Sequence, residues 1–338
     1  MRAVVLEGPG KAGLKDVREP NAPGKGEVLL KVRRVGLCGS DLNSYRGRNP
    51  LVSYPRILGH EVAATVAGVG PDVDGWPPET AVTLSPGSNC GKCASCLRGR
   101  INACQFNETL GVQRDGALTE LIVAPVSRIF RADLSLKELC LVEPLTVGFH
   151  AVARGRVEGG DRVAVFGCGG VGLGAVAGAA YRGATVIGVD LDDVKLDIAR
   201  KAGASHTVNT VQGDLHRQLA ELTDGHGPDV IIEAIGLPET YRAAVDEVAY
   251  AGRVVYIGWA KEHVTYETRP FVHKELDILG ARNAQREDFL DVMRMLEARR
   301  FPVNDAVTHV APMSETPAIL EAWSAEPARF SKIMVEVG

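Results

Sequence analysis

The amino-acid sequence predicts an α/β protein in which a doubly wound parallel sheet is inserted into a β-rich lobe. Three observations support this prediction. Short branched, strand-like runs dominate residues 1–145, strands and helices alternate after His150, and strand character returns at the C-terminus. At 338 residues, the chain is long enough for two hydrophobic cores. We therefore expect one domain from residues 1–148 and 285–338, with a second domain, residues 149–284, inserted between its two parts.

The clearest motif lies within the predicted parallel sheet. A short apolar run at residues 162–166 leads into a turn with the pattern G-x-G-x-x-G, and a later apolar run at residues 185–189 ends in an acid. The small apolar residues between the two runs are typical of a helix packed against a sheet. Such a β-α-β unit binds dinucleotides, because the glycines let backbone N–H groups approach a pyrophosphate. The predicted cofactor-binding residues are Gly167, Gly169, Gly170, Val171, Gly172 and Asp190.

Asp190 bears on which dinucleotide binds. A carboxylate at the end of the second strand accepts hydrogen bonds from the ribose hydroxyls of the adenosine. It also repels a 2′-phosphate, so the sequence predicts NAD rather than NADP. A glycine-rich turn with a purely structural role is the alternative interpretation of the motif.

A cluster of cysteines indicates a metal site. Four of the seven cysteines stand in a short loop with the spacing C-x2-C-x2-C-x7-C, and they are Cys90, Cys93, Cys96 and Cys104. This spacing is typical of a closed tetrahedral zinc site that orders a loop. Two local disulfides or an iron–sulfur cluster are the alternatives. The last gap is longer than in bacterial ferredoxins, and Gln105 stands where that pattern has proline.

Three further candidate ligands are far apart in sequence. Cys38 begins the motif Cys-Gly-Ser-Asp, His60 lies in Gly-His-Glu, and Glu143 is followed by Pro-Leu. Taken singly, each is more simply explained as a buried structural residue. Their order along the chain, together with the four-cysteine loop and the glycine turn, resembles that of the zinc-dependent medium-chain dehydrogenase/reductase superfamily, which includes alcohol and sorbitol dehydrogenases.

This resemblance implies a fold and a set of site residues. The fold is a Rossmann NAD-binding domain inserted in a GroES-like β-barrel catalytic domain. The resemblance assigns Cys38, His60 and Glu143 to a catalytic zinc and the four clustered cysteines to a structural zinc. Glu61 is then either a direct ligand or a nearby carboxylate that exchanges with water. Two glutamates on one zinc would leave the site with a net negative charge, so we expect one to leave when substrate binds.

Two positions concern the proton that leaves the substrate. Ser40 matches the family's hydroxyl that takes this proton, and the next member of the relay is often a histidine. In this chain Asn43 stands at that position, and an amide does not titrate near neutral pH. His150 and Glu61 are candidate substitutes.

The resemblance also bears on the substrate. Members with glutamate before Pro-Leu tend to oxidise polyols, sugar alcohols or sugar acids, and residues 48–56 resemble a loop of bacterial sugar-acid oxidoreductases. Arg282 resembles a substrate-contacting arginine of sorbitol dehydrogenases. We expect oxidation of a secondary alcohol of a polyol or sugar acid to the ketone, with hydride transfer to NAD. The alternatives are a threonine-type or simple-alcohol dehydrogenase and a non-catalytic zinc- and NAD-binding sensor or structural protein.

Composition limits the partners. The net charge is −4 without blocks of like charge, which gives no reason to expect binding to nucleic acid or an anionic membrane. No apolar run approaches the ~20 residues of a membrane span, and an acid follows the N-terminus too soon for a signal peptide. We therefore expect a cytoplasmic protein. Because relatives associate through the edge strand of the nucleotide fold, we expect a homodimer or homotetramer.

Overall fold

The computed structural model describes the backbone of residues 1–338 and every side chain except that of Ala328. The chain forms two compact units. The first unit comprises Met1–Glu143 and Val303–Gly338, and the second comprises Pro144–Pro302. The units thus divide after residues 143 and 302, whereas the sequence analysis expects boundaries after residues 148 and 284.

Ten strands lie in the first unit and six in the second. In chain order they are β1 (Arg2–Gly8), β2 (Lys11–Asp16), β3 (Glu27–Leu37), β4 (Arg56–Ile57), β5 (Glu61–Val69), β6 (Ala81–Leu84), β7 (Leu121–Pro125), β8 (Ile129–Phe130), β9 (Arg162–Phe166), β10 (Thr185–Asp190), β11 (His206–Asn209), β12 (Val230–Glu233), β13 (Arg253–Tyr256), β14 (Asp277–Gly280), β15 (His309–Pro312) and β16 (Ile333–Glu336).

The α-helices are concentrated in the second unit. In chain order they are α1 (Gly39–Tyr45), α2 (Ala94–Leu97), α3 (Leu136–Arg154), α4 (Gly170–Tyr181), α5 (Asp193–Lys201), α6 (Leu215–Leu222), α7 (Pro238–Glu247), α8 (Arg269–His273), α9 (Arg286–Glu297), α10 (Val303–Ala306) and α11 (Thr316–Ala325). None of the helices in the described chain has both the length and the apolar character needed to cross a membrane.

The first unit is built on a seven-stranded sheet. The strand order is β15-β16-β3-β5-β6-β8, β7 also pairs with β3, and a separate three-stranded sheet has the order β2-β1-β4. Two registers matter for the site. Gly36 of β3 lies opposite Glu61 of β5, and Leu37 of β3 lies opposite Ile333 of β16. The C-terminal strand is thereby brought to the strand ends that carry the candidate ligands.

The second unit contains a six-stranded parallel sheet with the order β11-β10-β9-β12-β13-β14. Strands β9, β10 and β12 are almost entirely buried, as expected for the centre of a parallel sheet covered on both faces. Successive strands run outward in one direction from β9 to β11 and in the other from β12 to β14, so the order reverses between β9 and β12. The predicted doubly wound sheet in one unit and the β-rich character of the other are confirmed.

The sequence predicts the β-rich character of the first unit correctly but does not predict the helix at the end of its N-terminal part. Helix α3 begins at Leu136 and continues past Pro144 to Arg154. The proline argues against a helix from sequence alone, because it cannot donate to the helical backbone. Glu143, one of the predicted metal ligands, lies in this helix.

Candidate functional site

Three of the predicted ligands lie together in the first unit. One ligand atom from each of Cys38, His60 and Glu61 lies within 4.8 Å of the other two. Cys38 is the N-cap of α1, and Glu61 begins β5 directly after His60. The pairing of β3 with β5 therefore joins segments that are separate in sequence. A thiolate, an imidazole and a carboxylate are the ligand types that zinc takes in proteins, so the donor set fits this metal.

Asp41 supports this cluster and was not singled out by the sequence. Its buried carboxylate accepts hydrogen bonds from the backbone N–H groups of Cys38, at 2.8 Å, and Gly59, at 3.2 Å. It thus joins the two segments that carry Cys38 and His60. The acid three residues after the N-cap of a helix is a recognisable capping signal that could have identified it.

Asp41 also sets the electrostatics around His60. The distance between its Oδ1 and the Nδ1 of His60 is 3.9 Å. Burial lowers the pKa of His60, but the Asp41 carboxylate and the Cys38 thiol raise it well above its ordinary value. A site that attracts a proton so strongly has a negative potential. The same potential favours a divalent cation at this position.

Glu143, the other predicted ligand, is near this cluster. Burial raises the pKa of Glu143 to about 7, while the neighbouring His60 lowers it and Glu61 raises it. These interactions place its carboxylate within electrostatic reach of both residues. Among the described side chains, however, the group within 4.8 Å contains Glu61 and not Glu143.

Glu61 has a second partner that the sequence did not reveal. The Lys332 ammonium donates to both of its carboxylate oxygens, at 2.6 and 2.8 Å, and to the backbone oxygen of Leu37 at 3.3 Å. The side chains of Lys332 and Glu61 are only 8% and 2% exposed. A Cβ atom on Gly36 would lie 1.9 Å from a carboxylate oxygen of Glu61, so a side chain at this position would displace the carboxylate that Lys332 holds. The charge of Glu61 is therefore balanced inside the protein.

Ser40 lies two residues after Cys38 in α1. Its hydroxyl oxygen is buried and has no hydrogen-bond partner among the described residues. A buried hydroxyl without a partner is costly, which suits a group that awaits a ligand. His150, considered from sequence as a substitute in the proton relay, lies in the second unit, where its Nδ1 is 2.9 Å from a carboxylate oxygen of Asp288.

The four clustered cysteines have the geometry of a metal site. The Sγ atom of Cys93 lies 3.5 Å from that of Cys96 and 3.8 Å from that of Cys104. Sulfur atoms around a tetrahedral zinc, with Zn–S bonds of about 2.3 Å, are separated by similar distances. All seven cysteines are free, so the alternative of two local disulfides is wrong.

Hydrogen bonds lower the pKa of Cys93 and Cys104 and so favour their thiolates, whereas burial raises the pKa of Cys96 to about 11. Backbone N–H groups of Cys90 and Phe106 donate to the sulfur of Cys104, each at 3.3 Å. The hydroxyl of Ser95, followed by the backbone N–H groups of Cys96 and Gln105, lowers the pKa of Cys93 to about 5. Because metal ligation requires the deprotonated form, these donors prepare the loop for a cation.

The glycine turn of the second unit leaves open space at the start of α4. Gly167 has a φ of +91°, and a Cβ atom on Gly172 would lie 1.7 Å from the backbone oxygen of Gly167. Both positions therefore require glycine. Gly169 differs, since nothing lies within 4 Å of a Cβ atom built on it. As the N-cap of α4, followed by Gly170 and Val171 in the first turn, it offers open space and free backbone N–H groups for a phosphate.

Asp190 ends β10, beside this turn. Its Oδ2 accepts from the backbone N–H of Cys168 at 2.8 Å, and its Oδ1 accepts from those of Leu191 and Asp192 at 2.8 and 3.1 Å. These bonds fix an acceptor at the position where a dinucleotide presents its adenosine ribose. Arg282, the predicted substrate contact, is exposed in the second unit after β14, and its role stays a prediction.

The comparisons with known proteins agree with this arrangement. Residues 24–133 match the family model described as alcohol dehydrogenase GroES-like domain, and residues 170–298 match that described as zinc-binding dehydrogenase. The chain is 31% identical to L-galactonate-5-dehydrogenase of Escherichia coli K12, over 88% of each chain. It is 39% identical to sorbitol dehydrogenase of Bacillus subtilis 168, over 75% of this chain and 74% of the relative.

A solved structure extends the likeness to the complete fold. An alcohol dehydrogenase from Escherichia coli CFT073, complexed with the cofactor NADH, has a TM-score of 0.91 and 28% identity, covering 100% of this chain and 99% of its own. The fold and the candidate metal sites thus define an oxidoreductase of the zinc-binding type. The chain belongs to the zinc-dependent medium-chain dehydrogenase/reductase family.

Proposed function

We propose that this protein is an NAD-dependent dehydrogenase that oxidises a secondary alcohol of a polyol or sugar acid to the ketone. The observation that carries the proposal is the cluster of Cys38, His60 and Glu61 in the same unit as the buried, unpartnered hydroxyl of Ser40. A sensor or structural protein needs neither an open metal position nor such a hydroxyl. The names of the galactonate and sorbitol relatives support the substrate class.

The side chains of the site have separate tasks. When bound, zinc supplies Lewis acidity that favours the alkoxide form of a coordinated alcohol, and NAD supplies the hydride acceptor. Ser40 accepts the hydroxyl proton of the substrate, for which its oxygen is free, and passes its own hydroxyl proton outward towards water. Asp41 keeps the Cys38 and His60 segments in place through its two backbone hydrogen bonds. Gly169 and the N-terminus of α4 hold the pyrophosphate.

The two glutamates differ in their tasks. Because Lys332 already neutralises Glu61, we propose that Cys38, His60 and Glu143 form the resident ligand set. Glu61 would then be the carboxylate that exchanges, held by the Lys332 ammonium whenever it is not a ligand. This set leaves the metal with two anionic ligands and a neutral imidazole, which keeps it an effective Lewis acid.

Cofactor preference can be tested at Asp190. Replacing Asp190 with serine removes the charge that opposes a 2′-phosphate, so the ratio of kcat/KM for NAD to that for NADP is expected to fall by about a hundredfold. Steady-state kinetics with both cofactors measure this ratio. Asp193→Asn is the matched control, since Asp193 is a nearby acid bonded to Asn209 and Gln212. An unchanged ratio in the Asp190 variant would contradict the assignment.

The substrate class is tested by a panel of alcohols. Initial rates with NAD are measured for polyols, aldonates, threonine and primary alcohols, with the zinc content of the protein determined in parallel. We expect kcat/KM for the best polyol or aldonate to exceed that for threonine and primary alcohols by about tenfold or more. A preference for threonine or a primary alcohol would overturn the substrate class. Absence of turnover on the whole panel by zinc-loaded protein would overturn the activity.

A further inference from the structure

A second buried carboxylate, outside the metal cluster, lies at the centre of the nucleotide-binding unit. Glu233 is the last residue of β12 and is fully buried. It pairs in register with Phe166 of β9 on one side and Tyr256 of β13 on the other. Because the strand order reverses between β9 and β12, Glu233 stands at the switch point where doubly wound sheets bind their ligands.

The two oxygens of this carboxylate differ sharply. Oε1 accepts from the backbone N–H groups of Ile235, at 2.9 Å, and Gly236, at 2.7 Å, and from the hydroxyl of Thr240 at 2.8 Å. Oε2 is buried and accepts from no group among the described residues. No described lysine, arginine or histidine forms an ion pair with Glu233 either, in contrast to Glu61. The protein thus orients the carboxylate without supplying a counter-charge.

The neighbouring tyrosine side chains do not donate a hydrogen bond to the free oxygen of Glu233. The hydroxyl of Tyr241 donates to the backbone oxygen of Gly258, that of Tyr256 to the backbone oxygen of Tyr241, and that of Tyr266 to the hydroxyl of Tyr256. Burial and, next, the charge of Glu233 raise the pKa of Tyr241. The charge of Glu233 therefore acts on its neighbours, and no opposite charge among the described residues balances it. Such an uncompensated buried charge is costly and is typical of functional sites.

The surface beside Glu233 is apolar and open. Ile235 and Trp259, which follow β12 and β13, are 43% and 71% exposed. A Cβ atom on Gly167 would lie 2.6 Å from the side chain of Ile235, so this surface adjoins the glycine turn. With the pyrophosphate at the turn and the adenosine at Asp190 on the β10 side, a dinucleotide extends its other half over β12 and β13. That half of NAD carries the nicotinamide ring.

We infer that the Glu233 carboxylate favours binding of the oxidised, positively charged nicotinamide over the neutral reduced ring. The inference rests on the proposed use of NAD. Oxidised nicotinamide bears a formal positive charge that the reduced ring lacks, so a fixed buried carboxylate stabilises only the oxidised form. For a unit charge about 10 Å away at an effective dielectric constant of about 20, Coulomb's law gives an effect of the order of tenfold in affinity. Glu233 thereby biases cofactor loading towards alcohol oxidation.

The test compares two dissociation constants in one variant. Glu233→Gln retains an oxygen acceptor for the three donors and removes the charge. We expect the Kd for NAD⁺, measured by calorimetry, to rise by about tenfold, and the Kd for NADH, measured by its fluorescence, to change less than about twofold. Thr240→Val is the matched control, because it removes one donor to the same carboxylate and leaves the charge. In this control both constants should change by the same factor.

The ratio of the two constants separates charge from structure. If Glu233 had only a structural role, Glu233→Gln would raise the Kd for NAD⁺ and the Kd for NADH by the same factor. That result would overturn the inference, and so would two unchanged Kd values. If the unmodified protein binds neither NAD⁺ nor NADH, the proposed cofactor is wrong and the inference falls with it. Normal binding of both forms with an unaltered ratio in the variant overturns the inference alone.

Discussion

Replacing Lys332 with methionine is expected to lower the free energy of unfolding by about 3–5 kcal/mol, because it leaves the Glu61 carboxylate buried without a counter-charge. The size of the effect follows from burial, since the two side chains are only 8% and 2% exposed. Methionine retains the volume of the lysine stem, so the loss reports the charge rather than a cavity. Urea denaturation of the variant and the unmodified protein, followed by circular dichroism, measures the difference.

Two further variants make this result interpretable. The double variant Lys332→Met with Glu61→Gln removes both charges, and we expect it to recover most of the lost stability. Lys25→Met breaks an ion pair with Asp72 whose side chains are 80% and 67% exposed, and it should cost less than about 1 kcal/mol. If Lys332→Met were as mild as Lys25→Met, Glu61 would not depend on Lys332 for its charge balance.

Features encoded by local spacing were predictable from the sequence. The glycine turn and the four-cysteine loop each lie within one short segment, and the structure shows open space at Gly169 and sulfur atoms 3.5 and 3.8 Å apart. The acid at the end of β10 follows the same logic, because it lies at a fixed place in a β-α-β unit. Local patterns carry such information because the backbone geometry of a turn determines which residues face each other.

Features that depend on distant strand pairing were not predictable in this way. Lys332 reaches Glu61 only because β16 pairs with β3 and β3 pairs with β5. Nothing near Lys332 in sequence indicates a buried ion pair. The grouping of Cys38 with His60 likewise required a resemblance to a known family, since spacing alone does not join them. The same resemblance assigns Glu143 to the metal site, but the sequence does not predict the helix α3 that carries it.

The buried acids of this protein are balanced in different ways, and the difference matches their proposed tasks. Asp41 accepts hydrogen bonds from two backbone N–H groups and so holds the segments of Cys38 and His60 together. Glu61 is paired with the buried ammonium of Lys332, a partner that can hold its charge when it is not a metal ligand. Glu233 has donors on one oxygen and none on the other, which leaves its charge available to a ligand. Sequence shows all three as acids at strand or helix ends and does not distinguish them.

Replacing His60 with alanine is expected to reduce kcat/KM for the best alcohol of the panel by about a thousandfold, because the metal loses its neutral ligand and with it the means to favour an alkoxide. The variant should retain the zinc of the four-cysteine loop and lose the other, so its zinc content should fall from two ions per chain to one. Elemental analysis measures the zinc, and NADH fluorescence verifies that the nucleotide-binding unit still binds its cofactor.

The matched control for this variant is His309→Ala. His309 lies in β15 of the same unit, where its ring packs against Phe330 and takes no part in the cysteine–histidine cluster. This control should retain two zinc ions and most of the activity, which separates loss of a ligand from loss of an imidazole in general. A His60 variant with two zinc ions and undiminished turnover would show that the metal is held elsewhere. A His60 variant with no zinc at all would show that the two sites fold together, because the four-cysteine loop does not include His60.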